Sequence, residues 1–253
     1  MTEESIVRLQ KRNPACRVHV FSSLASTNTT LHEMARAGAP DGTVVIARKQ
    51  TAGRGRLGRE FSSPEDAGLY MSLLLRRDLS PDCVALLTPY TALAAALAVE
   101  DTADVTVGIK WVNDLRIGNG KIAGILTEGE FTPEGHLAFA VVGIGINLKS
   151  GALPPHLAGI AAAIEESATP PAPDVLAAAI LDRFFDGIPS LLDGSFLEEY
   201  RRRSVVLGRR VTATVGDSTV EGIAKAIGDD GALLLDTEGG DVRLRAGEVS
   251  IRL

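Results

Sequence analysis

The chain has 253 residues, and its 26 basic and 32 acidic side chains give a formal net charge of −6. This acidic balance argues against non-specific nucleic-acid binding, which needs a basic surface. No signal-peptide pattern is present, and the longest apolar run, residues 84–99, is too short and too interrupted for a membrane span. Because only Cys16 and Cys83 occur, without a C-x-x-C pair, disulfide and zinc frameworks are excluded and a reducing, cytoplasmic location is expected.

After a short charged segment at residues 1–12, predicted strands alternate with predicted helices. Apolar and β-branched runs predict strands at 19–24, 43–50, 68–76, 105–111, 121–131 and 136–148. Helices are predicted from Ser26 or Thr27 to about Ala37, from Pro81 to about Asp101, at 172–192 and at 195–204. Together these elements predict an α+β domain over residues 1–204, with a mixed or antiparallel sheet and packed helices.

The last part of the chain has a different pattern. Short strands are predicted at 209–215, 218–227, 232–238 and 242–253, with turns at 216–217, 228–231 and 238–241. Closely spaced strands of this kind predict a small β-barrel domain over residues 205–253.

The segment Gly53-Arg54-Gly55-Arg56-Leu57-Gly58-Arg59, here called the glycine loop, follows a predicted strand. It matches the G-x-G-x-x-G pattern of dinucleotide-binding folds, but turn residues such as Pro64 and Gly68 follow where that pattern opens a helix. A dinucleotide-dependent oxidoreductase is therefore disfavoured. Glycines let the backbone approach a ligand, and the closely spaced arginines would repel one another without an anion, so the loop indicates an anion clamp. A solvated basic loop is the alternative.

Two further segments carry lysines at the ends of predicted strands. Lys110, Asn113 and Asp114 bring a cation, an amide and a carboxylate close together, and Lys121 opens an otherwise apolar strand. Ligands bind at strand ends in open α/β sheets, and a lysine in a buried strand is costly unless it meets an anion. The alternatives are a Lys–Asp pair on the surface and a lysine that reaches solvent along its aliphatic stem.

Residues 143–148 read Gly-Ile-Gly-Ile-Asn-Leu. Glycine inside a strand often marks the close approach of a ligand or of another backbone, and Asn147 offers both a donor and an acceptor. A glycine pair that packs the sheet, followed by an asparagine in a turn, is the alternative. The histidines are scattered, and no zinc-hydrolase or serine-hydrolase motif is present.

Taken together, five segments in this order resemble biotin protein ligase: Ser26-Thr27-Asn28, the glycine loop, KWVNDL at 110–115, GKIAGIL at 120–126 and GIGINL at 143–148. The resemblance implies a mixed sheet with helices on one side and a C-terminal SH3-like β-barrel. It also implies the form without an N-terminal DNA-binding domain, and hence no repressor activity. The chain departs from the family pattern at Val112, where proline is usual, and at Phe61, where tryptophan is usual.

The implied activity is a two-step ligation. Biotin's carboxylate would attack the α-phosphorus of ATP to give biotinyl-5′-AMP, and a lysine of a biotin carboxyl carrier protein or domain would then take the biotin and release AMP. The carrier would belong to a biotin-dependent carboxylase or decarboxylase. Mg²⁺ is expected with ATP, although no ligands for it are assigned. The family often dimerises through sheet edges, so a monomer–dimer equilibrium is expected.

The resemblance also assigns roles to residues of this chain. Lys121, Arg56 and Asp114 are implied to be catalytic. The implied substrate-binding residues are Ser26, Thr27, Asn28, Gln50, Gly53, Arg54, Gly55, Arg56, Arg59, Phe61, Lys110, Asn113, Lys121, Gly124 and Asn147.

Within this set, Ser26, Thr27 and Gln50 would hydrogen-bond the ureido ring of biotin. Gly53 to Arg56 of the glycine loop would fold over biotin and its adenylate, with Arg54 and Arg56 neutralising carboxylate and phosphate. The loop should be mobile without ligand. The residues Arg59, Phe61, Asn113 and Asn147 would lie on the nucleotide side. For Asp114, orientation of Lys110 or of the acceptor amine, assistance to Mg²⁺ and general-base catalysis all stay open.

Two other functions remain as alternatives. A lipoate or octanoate ligase shares the fold and the acyl-adenylate chemistry, but it carries different motifs. A non-catalytic protein that responds to biotinyl-AMP would need an output domain, and the sequence shows none.

Overall fold

A seven-stranded sheet forms the centre of the first part of the computed structural model, which describes residues 3–216 and 218–251. Its strands are β1 (Arg17–Phe21), β2 (Thr43–Ala47), β3 (Gly68–Leu75), β4 (Gly108–Lys110), β5 (Asp114–Ile117), β6 (Gly120–Phe131) and β7 (Leu137–Asn147). The spatial order is β1-β2-β3-β7-β6-β5-β4. Since β1 and β2 run parallel and the other neighbours pair antiparallel, the predicted mixed sheet is confirmed.

Six α-helices accompany the strands in the described part of the chain: α1 (Glu3–Arg12), α2 (Thr27–Arg36), α3 (Pro81–Thr102), α4 (Pro173–Asp186), α5 (Ile188–Asp193) and α6 (Phe196–Arg202). Ser26 caps α2 and Ser80 caps α3, each by accepting a hydrogen bond from a backbone N–H of the first turn. The prediction of one continuous helix at 172–192 is wrong. Pro189 has no N–H to continue α4, so α4 ends at Asp186 and a second short helix, α5, begins after Gly187.

The helices cover both faces of the sheet. On one face α3 and α4 pack against Leu73 and its alternate neighbours in β3, whereas α2 packs on the opposite face against Leu74. The expectation of helices on one side is therefore wrong, and the face covered by α2 is here called the α2 face. The helix α3 is long and apolar enough to span a membrane, but 67% of its most apolar 18-residue stretch is buried inside the protein, as in a core helix.

The C-terminal part forms a separate antiparallel sheet. Its strands are β8 (Arg210–Val215), β9 (Ser218–Ile227), β10 (Leu233–Thr237), β11 (Gly240–Leu244) and β12 (Glu248–Ile251), in the order β11-β10-β9-β8-β12. Between residues 218 and 251 no pairing joins β11 to β12, so this SH3-like sheet is open rather than a closed barrel. Parts of the predicted turn at 216–217 and of the predicted strand at 242–253 lie outside the described residues.

The two sheets meet next to the turn that follows β4. The indole Nε1 of Trp111 donates a hydrogen bond to the carbonyl oxygen of Gly231, at 2.9 Å. A second link runs from the guanidinium of Arg201 to the carbonyl oxygen of Ile227, at 2.8 Å. These contacts fix the C-terminal sheet beside the segment that carries Lys110 and Asp114.

Candidate functional site

A cleft opens on the α2 face, between the seven-stranded sheet, the glycine loop and the C-terminal sheet. Most of the residues predicted from the sequence line it together: Ser26, Thr27, Asn28, Gln50, Arg54, Gly55, Arg56, Arg59, Phe61, Lys110, Asn113, Asp114, Lys121 and Gly124. The cleft also has a wall that sequence reasoning missed, formed by Gly247, Glu248 and Val249 of the C-terminal sheet.

Two of the predicted residues, Gly53 and Asn147, are not among the residues that line the cleft. At Gly53, an added Cβ atom would lie 2.2 Å from the carbonyl oxygen of Phe61, so glycine is needed where the base of the loop closes on itself. Asn147 is buried, and its Nδ2 donates to the carbonyl oxygen of Ala162 at 3.0 Å. Its place on the nucleotide side stays a prediction.

Thr27, Asn28, Gln50 and Ser72 form a polar floor at one end of the cleft. The backbone N–H of Thr27 donates to Gln50 Oε1 at 2.8 Å, while Gln50 Nε2 donates to Ser63 Oγ at 2.7 Å. These two bonds fix which end of the Gln50 amide faces Thr27. Sequence reasoning missed Ser72, although a lone hydroxyl in the apolar strand β3 was an available signal.

The hydroxyl protons of this floor are too few for its contacts. Ser72 Oγ lies 2.6 Å from Asn28 Oδ1 and 2.8 Å from Thr27 Oγ1, and Thr27 Oγ1 lies 3.1 Å from Gln50 Oε1. Both amide oxygens only accept, so the three contacts share the two protons of Ser72 and Thr27. One contact therefore lacks a proton. Thr27 Oγ1 keeps at least one free lone pair, which can accept an N–H from a ligand in the cleft.

The glycines of β7 make room for side chains of the cleft. A Cβ atom at Gly143 would lie 2.2 Å from Asn28 Oδ1, and one at Gly145 would lie 2.6 Å from the ring of Phe61. The sequence indicated close approach of a ligand or of a backbone at these positions. In the structure two side chains of the site make that approach.

The arginines of the glycine loop have different partners. Arg54 Nη2 lies 2.8 Å from Glu128 Oε1, and Arg59 Nη1 lies 2.6 Å from Glu248 Oε1. Arg56 Nη1 instead donates to the neutral Asn113 Oδ1, at 3.1 Å. The expected repulsion between the arginines is therefore relieved by carboxylates of the protein at two of the three positions.

Arg56 is the arginine of this loop that is available to an anion. Burial lowers its pKa, which the nearby carboxylate of Asp114 opposes. A guanidinium keeps its charge in proteins even so, and its planar donors suit carboxylate and phosphate oxygens. The loop is thus neither a free anion clamp nor a solvated basic loop, because two of its arginines are paired with carboxylates of the protein and the third, Arg56, contacts a neutral amide.

Asp114 sits between two lysines at the other end of the cleft. Its Oδ1 lies 2.7 Å from Lys121 Nζ, and its Oδ2 lies 3.9 Å from Lys110 Nζ. Lys110 and Asp114 are 12% and 16% exposed, which excludes the surface-pair alternative. Burial lowers the pKa of Lys110, and Asp114 partly opposes that shift. With Arg56 nearby, positive charge exceeds negative charge at this end, so the cluster favours anions.

A β-bulge decides which way Lys121 points. Leu115 pairs with Ala123, but Arg116 pairs with Lys121, so Ile122 is an extra residue in β6. Ile122 enters the core, and the bulge turns Lys121 toward the face that carries Asp114. Strict alternation along β6 would place the lysine on the core side.

Two hydrogen bonds hold the turn that links β4 to β5. The peptide bond between Trp111 and Val112 is cis, at the position where the family pattern has proline. The hydroxyl of the buried Tyr200 donates to the carbonyl oxygen of Val112 at 3.0 Å, and Asn113 Nδ2 donates to the carbonyl oxygen of Ile125 at 3.0 Å. These bonds position Asn113 against Arg56.

Residues 3–216 and 218–251 contain no group of three or more His, Cys, Asp and Glu side chains that could hold a metal ion. The carboxylate nearest the cation cluster, Asp114, is already paired with Lys121. A metal site built from protein ligands alone therefore does not fit this cleft.

Two parts of the chain match models of known protein families. Residues 20–147 match the model of the biotin/lipoate A/B protein ligase family, and residues 206–252 match that of the biotin protein ligase C terminal domain. A bifunctional ligase/repressor BirA of Bacillus subtilis is 40% identical over 148 residues, which span 58% of this chain but only 45% of that protein.

Two other relatives match over most of their length. A biotin–[acetyl-CoA-carboxylase] ligase of Mycobacterium tuberculosis is 32% identical over 248 residues, covering 92% of this chain and 88% of that protein. The structure of a biotin protein ligase from Aquifex aeolicus in complex with biotin and ATP is similar, with a TM-score of 0.79 and 25% identity over 93% of this chain and 98% of that one. The chain belongs to the biotin/lipoate A/B protein ligase family and carries the biotin protein ligase C-terminal domain.

Proposed function

We propose that the protein is an ATP-dependent biotin protein ligase, which forms biotinyl-5′-AMP and transfers biotin to a lysine of a biotin carboxyl carrier domain. One observation carries the proposal: a polar floor whose Thr27 hydroxyl can still accept a hydrogen bond lies in the same cleft as a cluster with excess positive charge. The ureido ring of biotin has N–H donors for the floor, and its carboxylate and the phosphates of ATP are anions for the cluster.

The first step needs alignment and positive charge rather than a covalent nucleophile. Attack by one anion on another is disfavoured until cations neutralise both, and electrostatic stabilisation of this kind is often the largest catalytic contribution. Lys121 and Arg56 line the cleft and supply that charge. We assign Lys121 to the carboxylate and the α-phosphate, and Arg56 to the closing of the site over the intermediate.

The second step is attack of a lysine amine on the mixed anhydride. Asp114 Oδ1 lies 2.7 Å from Lys121 Nζ, so we assign Asp114 to the orientation of Lys121. A carboxylate is a weak base toward an ammonium group, which makes a general-base role less favourable. Phe61, which lies against Gly145 in the cleft, is assigned to stacking on adenine.

Mg²⁺ enters the proposal as a partner of the phosphates of ATP. Magnesium is usually bound through substrate phosphates and one or two carboxylates rather than by an all-protein cage. We further propose a cytoplasmic enzyme whose catalytic and C-terminal domains divide between residues 204 and 205. We also propose that the protein exchanges between a monomer and a homodimer.

The test is incubation with Mg²⁺, labelled biotin or lipoate, and a carboxyl carrier domain, with and without ATP. Biotin transfer that requires ATP is the expected result. Lipoate transfer would identify the alternative ligase, which the floor disfavours because a dithiolane ring has no N–H donor. Tight binding of biotinyl-AMP without transfer would instead identify a binding protein.

A further inference from the structure

The carboxylate of Glu128 joins two parts of the cleft that lie far apart in sequence. Its Oε2 accepts a hydrogen bond from Asn28 Nδ2 at 3.0 Å and one from Arg54 Nη1 at 3.2 Å. Its Oε1 accepts from Arg54 Nη2 at 2.8 Å. One side chain therefore holds both the polar floor and the glycine loop.

The register of the sheet explains this position. Glu128 pairs with Val141 of β7, two residues along from the pair of Leu126 with Gly143, where Asn28 lies over the strand. It consequently projects from the α2 face beside the floor. It is absent from the residues that line the cleft, so it acts on a ligand through Asn28 and Arg54.

The carboxylate of Glu128 acts on the polar floor through its hydrogen bond with Asn28. Asn28 Nδ2 donates to Glu128, and its Oδ1 lies 2.6 Å from Ser72 Oγ. The carboxylate cannot donate, so it requires the nitrogen of the Asn28 amide and leaves the oxygen for Ser72. Asn28 Nδ2 also donates to the carbonyl oxygen of Leu126 at 3.3 Å, so loss of the charge would weaken the hold on the amide and leave this longer bond in place.

The contact at Arg54 acts on the loop. Half of the Arg54 side chain is exposed, and isolated ion pairs at such sites contribute little. This pair is bidentate and the carboxylate is only 25% exposed, which favours a defined geometry. Arg54 is two residues before Arg56, so fixing Arg54 limits the positions open to Arg56.

We propose that Glu128 is a positioning residue that couples order in the glycine loop to occupation of the polar floor. The identity of the ligand used to test it, biotin, rests on the proposed function. Binding at the floor and closure of the loop should then favour each other, since a coupling free energy acts in both directions.

The test compares Glu128→Gln with Glu130→Gln. Glu130 lies on the same strand, and its Oε2 accepts from Arg36 Nε of α2 at 2.9 Å, so it is a matched carboxylate–arginine pair outside the cleft. Two quantities are measured for each variant. They are the Kd for biotin by calorimetry, and the rate of trypsin cleavage at Arg54, Arg56 and Arg59 with and without biotin.

Glu128→Gln should raise the Kd for biotin about 10-fold, because Asn28 and Arg54 lose their charged acceptor and only one acceptor oxygen remains for both. Cleavage of the loop should become several-fold faster, and biotin should protect the loop less than in the wild type. In a steady-state assay the KM for biotin should rise while kcat at saturation changes about 2-fold or less. Glu130→Gln should match the wild type in all of these measurements.

Wild-type Kd and cleavage rates in Glu128→Gln would overturn the proposal, as would equal effects of the two variants. Arg54→Met is a second test of the proposal. It should reproduce the faster cleavage at Arg56 and Arg59, and adding Glu128→Gln to it should not change cleavage of the loop further. Cleavage without ligand requires no assumption about function. A wild-type protein that binds no biotin would therefore contradict the proposed function alone.

Discussion

Lys121 Nζ lies 2.7 Å from Asp114 Oδ1, at the place where a bulge in β6 turns the lysine into the cleft. This pair leads to the first prediction. Lys121→Ala should slow formation of the adenylate about 10²–10³-fold, as removal of a single stabilising donor does in other enzymes. The Kd for biotin should change far less, because the charge matters most as the new bond forms.

Asp114→Asn tests the positioning part of the same idea. It keeps the shape of the side chain but releases Lys121, so kcat for adenylate formation should fall about 10-fold with little change in biotin affinity. Single-turnover release of pyrophosphate and calorimetry measure the two quantities. Equal losses of binding and rate in Lys121→Ala would show that the lysine provides only uniform binding.

The second prediction concerns the arginine of the glycine loop that has no carboxylate partner. Arg56→Gly should let biotinyl-AMP escape before transfer, because Arg56 lines the cleft with a neutral amide as its partner and is therefore available to the anionic intermediate. Biotinylation of added non-acceptor proteins measures the escape. Arg48→Gly removes an arginine paired with Asp66 outside the cleft and should retain the intermediate as the wild type does. Unchanged retention in Arg56→Gly would sink the idea.

The third prediction follows from the proton count at the polar floor. Ser72→Ala removes the donor to Asn28 Oδ1, a buried oxygen, and should cost about 1–3 kcal/mol of unfolding free energy. It should also raise the Kd for biotin several-fold. If Thr27 receives an N–H from the ligand, methylation of the ureido nitrogens of biotin should weaken binding to the wild type and to the variant alike, because the variant keeps Thr27.

Thr91→Val is the matched control for Ser72→Ala. Thr91 is equally buried and donates to the carbonyl oxygen of Leu87 within α3 at 2.7 Å, remote from the floor. It should lower the melting temperature without changing the Kd for biotin. A similar Kd change in both variants would assign the effect of Ser72→Ala to general loss of stability.

The fourth prediction concerns stability and pH. Burial lowers the pKa of Lys110, so the folded state releases this proton at lower pH than the unfolded state, whose lysine titrates near its ordinary pKa of 10.5. The wild type therefore gains stability as pH rises between the lowered pKa and that value. Lys110→Met removes the buried charge and should raise the melting temperature at pH 7 by about 2–4 °C.

The difference between Lys110→Met and the wild type should then shrink as the pH rises through that window. Thermal melts between pH 7 and 10 measure it, with Lys225→Met as control, since Lys225 is an exposed residue paired with Asp241. A difference that stays constant with pH would contradict the burial argument. ATP should bind Lys110→Met more weakly, as expected for a cation kept for function at the expense of stability.

Much of the fold could be predicted because local signals act within a few residues. The helix start at Ser26 follows from side-chain capping, and β3 follows from a continuous apolar run. The break at Gly187 could have been predicted too, because Pro189 lies two residues later in the same segment. Whether the short C-terminal strands close into a barrel depends on contacts between distant strands, which the local pattern does not contain.

The sequence by itself determined which chemical groups are present and roughly where they occur: the glycine loop, the two lysine segments and the glycine pair of β7. The tertiary structure alone decided their partners. Glu128 meets Arg54, 74 residues away, and Glu248 meets Arg59 across 189 residues, so no local spacing predicts either pair. The direction of Lys121 depends on a one-residue bulge, because a shift of one residue moves a side chain to the other face of a sheet.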